Sequence, residues 1–331
     1  MVNILKIIIL TNGNHKIGMG HIYRSLNLVS TLNKEKYEII FLTNNKFSKN
    51  IISKKNNCKY YRKLNSKNMT IFLKSFSPDV IILDKLSETK NNIQFLQIFC
   101  PIIAIDYTGK NKSQINYGIN ILYQKTGIKK NSVSNFNYAI LNNDFLKKKK
   151  SGINKKVKSI IVLQGGSDTY CFTPKIVKSL SEINKDFKIT VVLGPSFKCW
   201  SKLKNVLKNS NKSIQIFHDV KNISTLMYNS DLAITAGGNT LLELAYLGIP
   251  SIVVCAEKFE IETAKLMEKK NFGINLGFGQ NLPISKIQSC VIRMIDDYKL
   301  RKKMNSNGPL LVDGKGNQRI LKYIESKIIS N

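Results

Sequence analysis

The chain has 331 residues and a formal charge of +31, from 52 Lys and Arg against 21 Asp and Glu. That length suffices for two domains of ordinary size, and six widely spaced cysteines without a C-x-x-C pair exclude a small disulfide framework. The charge alone would suggest nucleic acid or an anionic membrane surface. Yet only five basic residues are arginines (Arg24, Arg62, Arg293, Arg301, Arg319) and 47 are lysines. Phosphate and base readers lean on arginine's bidentate fork, whereas Lys, Asn and Ile, all plentiful here, are what an AT-rich coding sequence supplies. Nucleic acid is therefore not expected as a partner, and the charge leaves an attraction toward anionic substrates.

Cys58, Cys100, Cys171, Cys199, Cys255 and Cys290 read as reduced, mostly buried thiols. The histidines, His15, His21 and His218, have no ligand-spaced neighbours, so no metal and no cofactor are expected. No apolar stretch approaches the roughly 20 residues of a membrane span, and the N-terminus opens as a strand without a signal-peptide pattern. The expectation is a cytoplasmic protein with no integral membrane segment.

In chain order, residues 4–10 are an apolar run, the pattern of a parallel strand buried on both faces. A Gly- and Asn-rich loop carrying Gly18 and Gly20 follows, then an amphipathic helix over about 21–32. His21 falls at the helix start. A cation is disfavoured there, and a neutral imidazole at the mouth of a strand-loop-helix turn can accept a proton from water; alternatively the ring caps the helix. Strands are expected at 37–42, at 79–83 ending on Asp84, and at 101–105 ending on Asp106. Strand carboxyl ends are the functional edge of open α/β sheets, so both aspartates are second-rank candidates, although strand-end Asp is also an ordinary turn residue.

The charged stretch 147–156 reads as a solvated linker dividing an N-terminal domain, 1–150, from a C-terminal one, 151–331. After it the pattern restarts. A strand at 159–163 leads into Gln-Gly-Gly-Ser-Asp, whose Gly166 and Ser167 are, with Gly18, Gly20, Asp84 and Asp106, second-rank candidates for diphosphate or sugar, then a helix over 173–180 with Pro174 in its first turn. Strands at 189–193 and 214–217 follow. The most informative unit is 231–255, DLAITAGGNTLLELAYLGIPSIVVC: strand 232–235, Ala-Gly-Gly-Asn-Thr, helix 241–247, Gly-Ile-Pro, strand 251–254. Gly237 and Gly238 let a ligand approach the backbone, Asn239 and Thr240 are placed to cap the helix, and its first amides suit phosphate. Glu243, one turn in, is placed to accept hydrogen bonds from a sugar diol. The plainer reading is a tight strand-to-helix turn with a solvated Glu243. Alternating strands and helices imply an α/β fold of two Rossmann-like, doubly wound domains.

Five blocks, GMGHIYRSLNL, VLQGGSDTYCFTPKIVKSL, VVLGPSF, AITAGGNTLLELAYLGIPSIVV and VDGKGNQRI, resemble in that order the nucleotide-sugar hydrolases of pseudaminic acid biosynthesis and the related spore-coat polysaccharide proteins. These belong to the GT-B superfamily alongside the MurG-type glycosyltransferase, and the resemblance runs from residue 4 to about 320. It implies two Rossmann-like domains facing across a cleft, and removal of the nucleotide from a UDP-linked 2,4-diacetamido-2,4,6-trideoxyhexose. It places the catalytic histidine at His21 and the nucleotide-binding glycines and ribose-binding glutamate at Gly237, Gly238 and Glu243. The chain departs from the pattern at Asp106-Tyr107, at Leu141-Asn142 and at 255–260 (CAEKFE), so the nucleotide end is better matched than the sugar end. The expected activity is hydrolysis of the UDP-sugar with His21 deprotonating water; the alternative is transfer of the sugar to a hydroxyl on a lipid-linked or protein acceptor.

Overall fold

A computed structural model describes residues 4–13, 18–148 and 152–329; His15 and residues 149–151 of the expected linker lie outside them. The apolar runs of the first half become strands β1 (Leu5–Thr11), β2 (Tyr37–Thr43), β3 (Cys58–Tyr60), β4 (Val80–Asp84), β5 (Ile102–Ile105), β6 (Tyr117–Asn120) and β7 (Ser132–Ser134). They pair in parallel in the order β3-β2-β1-β4-β5-β6-β7. Successive residues of a strand face opposite sides of the sheet, and Ile7, Ile8, Ile9 and Leu10 are all fully buried. Both faces are therefore covered, as an uninterrupted apolar run requires.

The second half repeats the architecture with β8 (Ser159–Leu163), β9 (Lys188–Leu193), β10 (Ile214–His218), β11 (Leu232–Thr235), β12 (Ser251–Cys255) and β13 (Ile274–Phe278). This sheet is also parallel, in the order β10-β9-β8-β11-β12-β13. Each sheet thus reverses its winding once, between β1 and β4 in the first and between β8 and β11 in the second. Helices leave the two strands of such a pair toward opposite faces, which opens a crevice at their carboxyl ends where open α/β sheets bind ligands.

The chain divides into two compact units, Met1–Asn142 with Lys315–Asn331, and Asn143–Gly314. The single boundary expected at 150/151 is corrected on both counts: the break falls at 142/143, and the final helix, Gly316–Ile329, returns to the first unit. Long-range polar contacts tie it there. Arg319 donates to the Asn137 carbonyl at 2.8 Å, Tyr323 to the Asn131 carbonyl at 2.8 Å, and Tyr37 donates to Glu325. No local pattern announces such a return. In the second unit the buried Arg301 donates to the carbonyls of Asn154 and Lys155, which pins the segment that follows the linker.

Candidate functional site

In the first unit Thr11 and Asp84 are register partners at the ends of β1 and β4, so the reversal point is marked by a carboxylate. The chain leaves β1 through a loop that includes Gly18, whose φ of +81° suits glycine, and enters the helix Gly20–Ser30. Met19 is the N-cap residue and no side chain caps this helix, so His21 is not a cap. Instead the His21 Nδ1–H donates to Asp84 Oδ1 at 2.7 Å. A proton held on Nδ1 leaves the lone pair on Nε2, the tautomer of a general base. His21 keeps 18% of its side-chain surface exposed while Asp84 keeps none.

Asp84 is itself held in place. Arg24, one turn after His21 and buried, donates Nε–H to Asp84 Oδ2 at 3.2 Å and a second N–H to Oδ1, and its other terminal nitrogen donates to Asp106. The Ser25 hydroxyl donates to Asp84 Oδ2 at 2.8 Å. Asp106, at φ +51°, accepts from the amides of Ile121 and Leu122 at 2.7 and 2.8 Å. Burial alone would raise the Asp84 carboxyl, but the Arg24 guanidinium, with His21, outweighs it and holds the group well below the usual carboxylate range. Burial likewise opposes the charge on Arg24, and the two aspartates overcome it. Asp84 and Asp106 are therefore corrected as candidates for touching diphosphate or sugar: both are fully buried, and they act on His21 and Arg24. Sequence reading missed Arg24 and Ser25. The signal was their spacing, three and four residues after His21, which puts all three on one helix face.

In the second unit the two Gly-bearing loops at the β8/β11 reversal differ in kind. Asp168 turns back onto the helix Phe172–Ser181 and accepts from the amides of Phe172 and Thr173, each at 2.8 Å. The first amides of that helix are therefore already satisfied by a side chain. Gly166 lies against Gly194, where a Cβ would come 2.4 Å from the Gly166 Cα, and the Ser167 hydroxyl meets that of Thr169 at 3.1 Å. The helix Asn239–Leu247 is the contrasting case. Its N-cap is Gly238, no side chain caps it, and its first turn carries no acidic residue. The expectation that Asn239 and Thr240 cap this helix is corrected: they are its first two residues, inside it, where a side chain cannot take the cap role. The uncapped amides of a helix start are an anion site in waiting.

Gly237 also has a cause the sequence did not reveal. A Cβ there would lie 2.9 Å from both the Cβ and the carbonyl oxygen of Glu260, the first residue of the helix Glu260–Lys269. The close approach that demands glycine is thus made by the start of the neighbouring helix. Glu243 keeps some exposure, and burial pushes its carboxyl up to about 8; no hydrogen-bond or ion-pair partner for it is found among the described residues. Cys171 and Cys199, at the starts of the helices Phe172–Ser181 and Trp200–Lys208, form a disulfide with a Cα–Cα separation of 5.7 Å. The expectation of six reduced thiols is corrected for this pair, because the loops after the adjacent strands β8 and β9 bring together residues 28 apart in sequence. Among the described residues no three of His, Cys, Asp and Glu are grouped so as to hold a metal, and no helix is long and apolar enough to cross a membrane.

The model of the glycosyltransferase family 28 C-terminal domain matches residues 134–320. The chain belongs to glycosyltransferase family 28. Uncharacterized protein MJ1062 of Methanocaldococcus jannaschii is 33% identical over 279 residues, 78% of this chain but 57% of that protein, so the match spans little more than half of the archaeal chain. The spore coat polysaccharide biosynthesis protein SpsG of Bacillus subtilis is 23% identical over 96% of this chain and 97% of its own. The UDP-N-acetylglucosamine–N-acetylmuramyl-(pentapeptide) pyrophosphoryl-undecaprenol N-acetylglucosamine transferase of Rickettsia bellii is 23% identical over 94% of this chain and 97% of its own. Among solved structures, that of Acinetobacter baumannii MurG superposes with a TM-score of 0.73 at 10% identity, covering 97% of this chain and 99% of the other. Each unit is Rossmann-like and the fold is the two-domain GT-B fold, with the family match centred on the unit that carries the uncapped helix.

Proposed function

We propose that this family 28 protein transfers a sugar from a UDP-sugar donor to a hydroxyl acceptor, with His21 as general base and the turn at Gly237, Gly238, Asn239 and Thr240 as the diphosphate site. The observation that carries the reading is the His21–Asp84 pair at the reversal point of the first sheet. The hydroxyl oxygen attacks the anomeric carbon as its proton passes to His21 Nε2; the bond from that carbon to the diphosphate oxygen breaks, and UDP leaves with the electron pair. Positioned proton transfer of this kind contributes about 10²- to 10⁴-fold. Helix-start amides aimed at the leaving diphosphate would stabilise its charge without reorganising. Glu243 would take the ribose hydroxyls, which gives hydrogen bonds to a carboxyl that has no partner among the described residues. A rickettsial relative named for a UDP-N-acetylglucosamine donor supports the donor class.

A second reading keeps the same residues and makes water the acceptor. It is favoured by the five blocks from GMGHIYR to VDGKGNQRI, whose order resembles sugar-nucleotide hydrolases. Phosphorus and proton NMR on UDP-N-acetylglucosamine and UDP-2,4-diacetamido-2,4,6-trideoxyhexose, with and without a polyprenyl-diphosphate-linked sugar acceptor, separates the two. UDP released only with acceptor present supports transfer; UDP and free sugar released in water alone support hydrolysis. A protein that binds no UDP sinks both.

A further inference from the structure

We propose that Glu260 is a positioning residue that brackets the two neighbouring loops of the second unit and so fixes the Gly237–Gly238 turn against which a diphosphate binds. The inference rests on the nucleotide reading above and concerns the stretch 255–260, where the chain departs from the blocks it resembles. Where β11 and β12 end, the ladder between them ends too, and the amides of the following loops need other acceptors. One carboxyl oxygen supplies them. Glu260 Oε2 accepts from Ala256 N–H at 2.8 Å, from Gly237 N–H at 3.2 Å and from Glu257 N–H at 3.3 Å, so a side chain from the start of the helix after β12 holds the backbone of the loop after β11 as well as that of its own preceding loop. The other oxygen, Oε1, lies 3.2 Å from where a Cβ on Gly238 would be, beside the N-cap residue of the uncapped helix. The backbone of Glu260 meets Gly237 as closely as any residue but glycine would forbid.

Three consequences follow for the site. The turn cannot move toward β12 because the Glu260 main chain fills that side, and it cannot swing away without breaking the Gly237 bond. The amides of Asn239 and Thr240 are thereby presented in one direction before any ligand arrives, which is the preorganisation that makes such donors effective. And the requirement is for an acceptor oxygen at this place, not for a charge, so an amide of the same length can replace the carboxyl.

Isothermal titration of the full chain with UDP and with uridine tests this. Uridine lacks the diphosphate and serves as the control for general damage. Glu260→Gln keeps the acceptor and is expected to bind UDP as tightly as wild type or tighter. Glu260→Ala is expected to lose about 10-fold or more in UDP affinity with uridine affinity changed less than about 3-fold, a loss of about 1.4 kcal/mol by the tenfold conversion. If Glu260→Ala does not fold, Glu260→Asp, which withdraws the carboxyl by one methylene, is expected to show the same selective loss. Equal loss of UDP and uridine, or no loss of either while wild type binds UDP, overturns the inference alone. Wild type that binds neither ligand overturns the nucleotide reading and the inference with it.

Discussion

His21 Nδ1 lies 2.7 Å from Asp84 Oδ1, joining a helix start after β1 to the end of β4 across the reversal point of the first sheet. The carboxylate has no exposed surface, so its effect on chemistry passes through the imidazole. Replacing Asp84 by Asn keeps the shape but no longer requires the proton on Nδ1. Turnover of the UDP-sugar should then fall about 10²- to 10⁴-fold while UDP affinity stays within about 3-fold. Steady-state kinetics beside calorimetry checks the split; equal turnover in the variant would remove Asp84 from the account.

Asp106 is expected to matter for folding. Replacing it by Ala strips a buried guanidinium of one partner and leaves the Ile121 and Leu122 amides without their acceptor. Breaking a buried pair in this way costs roughly 3–5 kcal/mol, so urea midpoints should drop sharply. Asp106→Ala with unchanged stability would show that the pair is not formed.

The acid limb of stability follows from Asp84. Its carboxyl, which burial would raise, is held well below the usual carboxylate range by Arg24 and His21. The folded value lies below the unfolded one, near 4, so this group's contribution is complete above about pH 4 and is lost as pH falls toward the folded value. Denaturant titrations from pH 6 to 2 should show wild type losing stability below about pH 4 and an Asp84→Asn variant losing less.

Glu243 has the opposite sign. Burial pushes its carboxyl up to about 8, so the stability tied to its neutral form is complete below about 4.3 and is lost as pH rises toward 8. A tenfold change in proton affinity corresponds to about 1.4 kcal/mol, which makes the effect measurable. Between pH 5 and pH 8 wild type should lose more stability than Glu243→Gln; parallel curves would contradict the burial of that carboxyl.

Both sheets were legible because buried parallel strands write themselves as unbroken apolar runs, and the expected strands at 159–163 and 232–235 coincide with β8 and β11. The short strands β3, β6 and β7 and the partly exposed β13 carry no such run and were not foreseen. The placement of His21 and of the Gly-Gly turn at helix starts was readable from the glycines. Arg24 was not, since a polar residue on an amphipathic helix looks solvated until a distant carboxylate is known to face it. The Cys171–Cys199 bond and the returning helix Gly316–Ile329 depend on contacts between residues far apart in sequence, which no local pattern encodes.

The disulfide gives a direct count. Without reductant, a thiol assay on the unfolded protein should find four free cysteines, and six after reduction. A loop of this length is worth about 3–4 kcal/mol in the chain-entropy model, so Cys171→Ser should lower stability by up to that amount under oxidising conditions and by little in reductant. Six free thiols without reductant would contradict the pairing.

In the proposed function, proton handling and nucleotide binding reside in different units, and His21→Ala tests this most directly. Turnover of the UDP-sugar and UDP affinity should be measured on the same preparation of wild type and variant. Turnover is expected to fall by about 10²-fold or more with UDP affinity unchanged. A variant that turns over at the wild-type rate, or one that loses UDP binding together with activity, would contradict it.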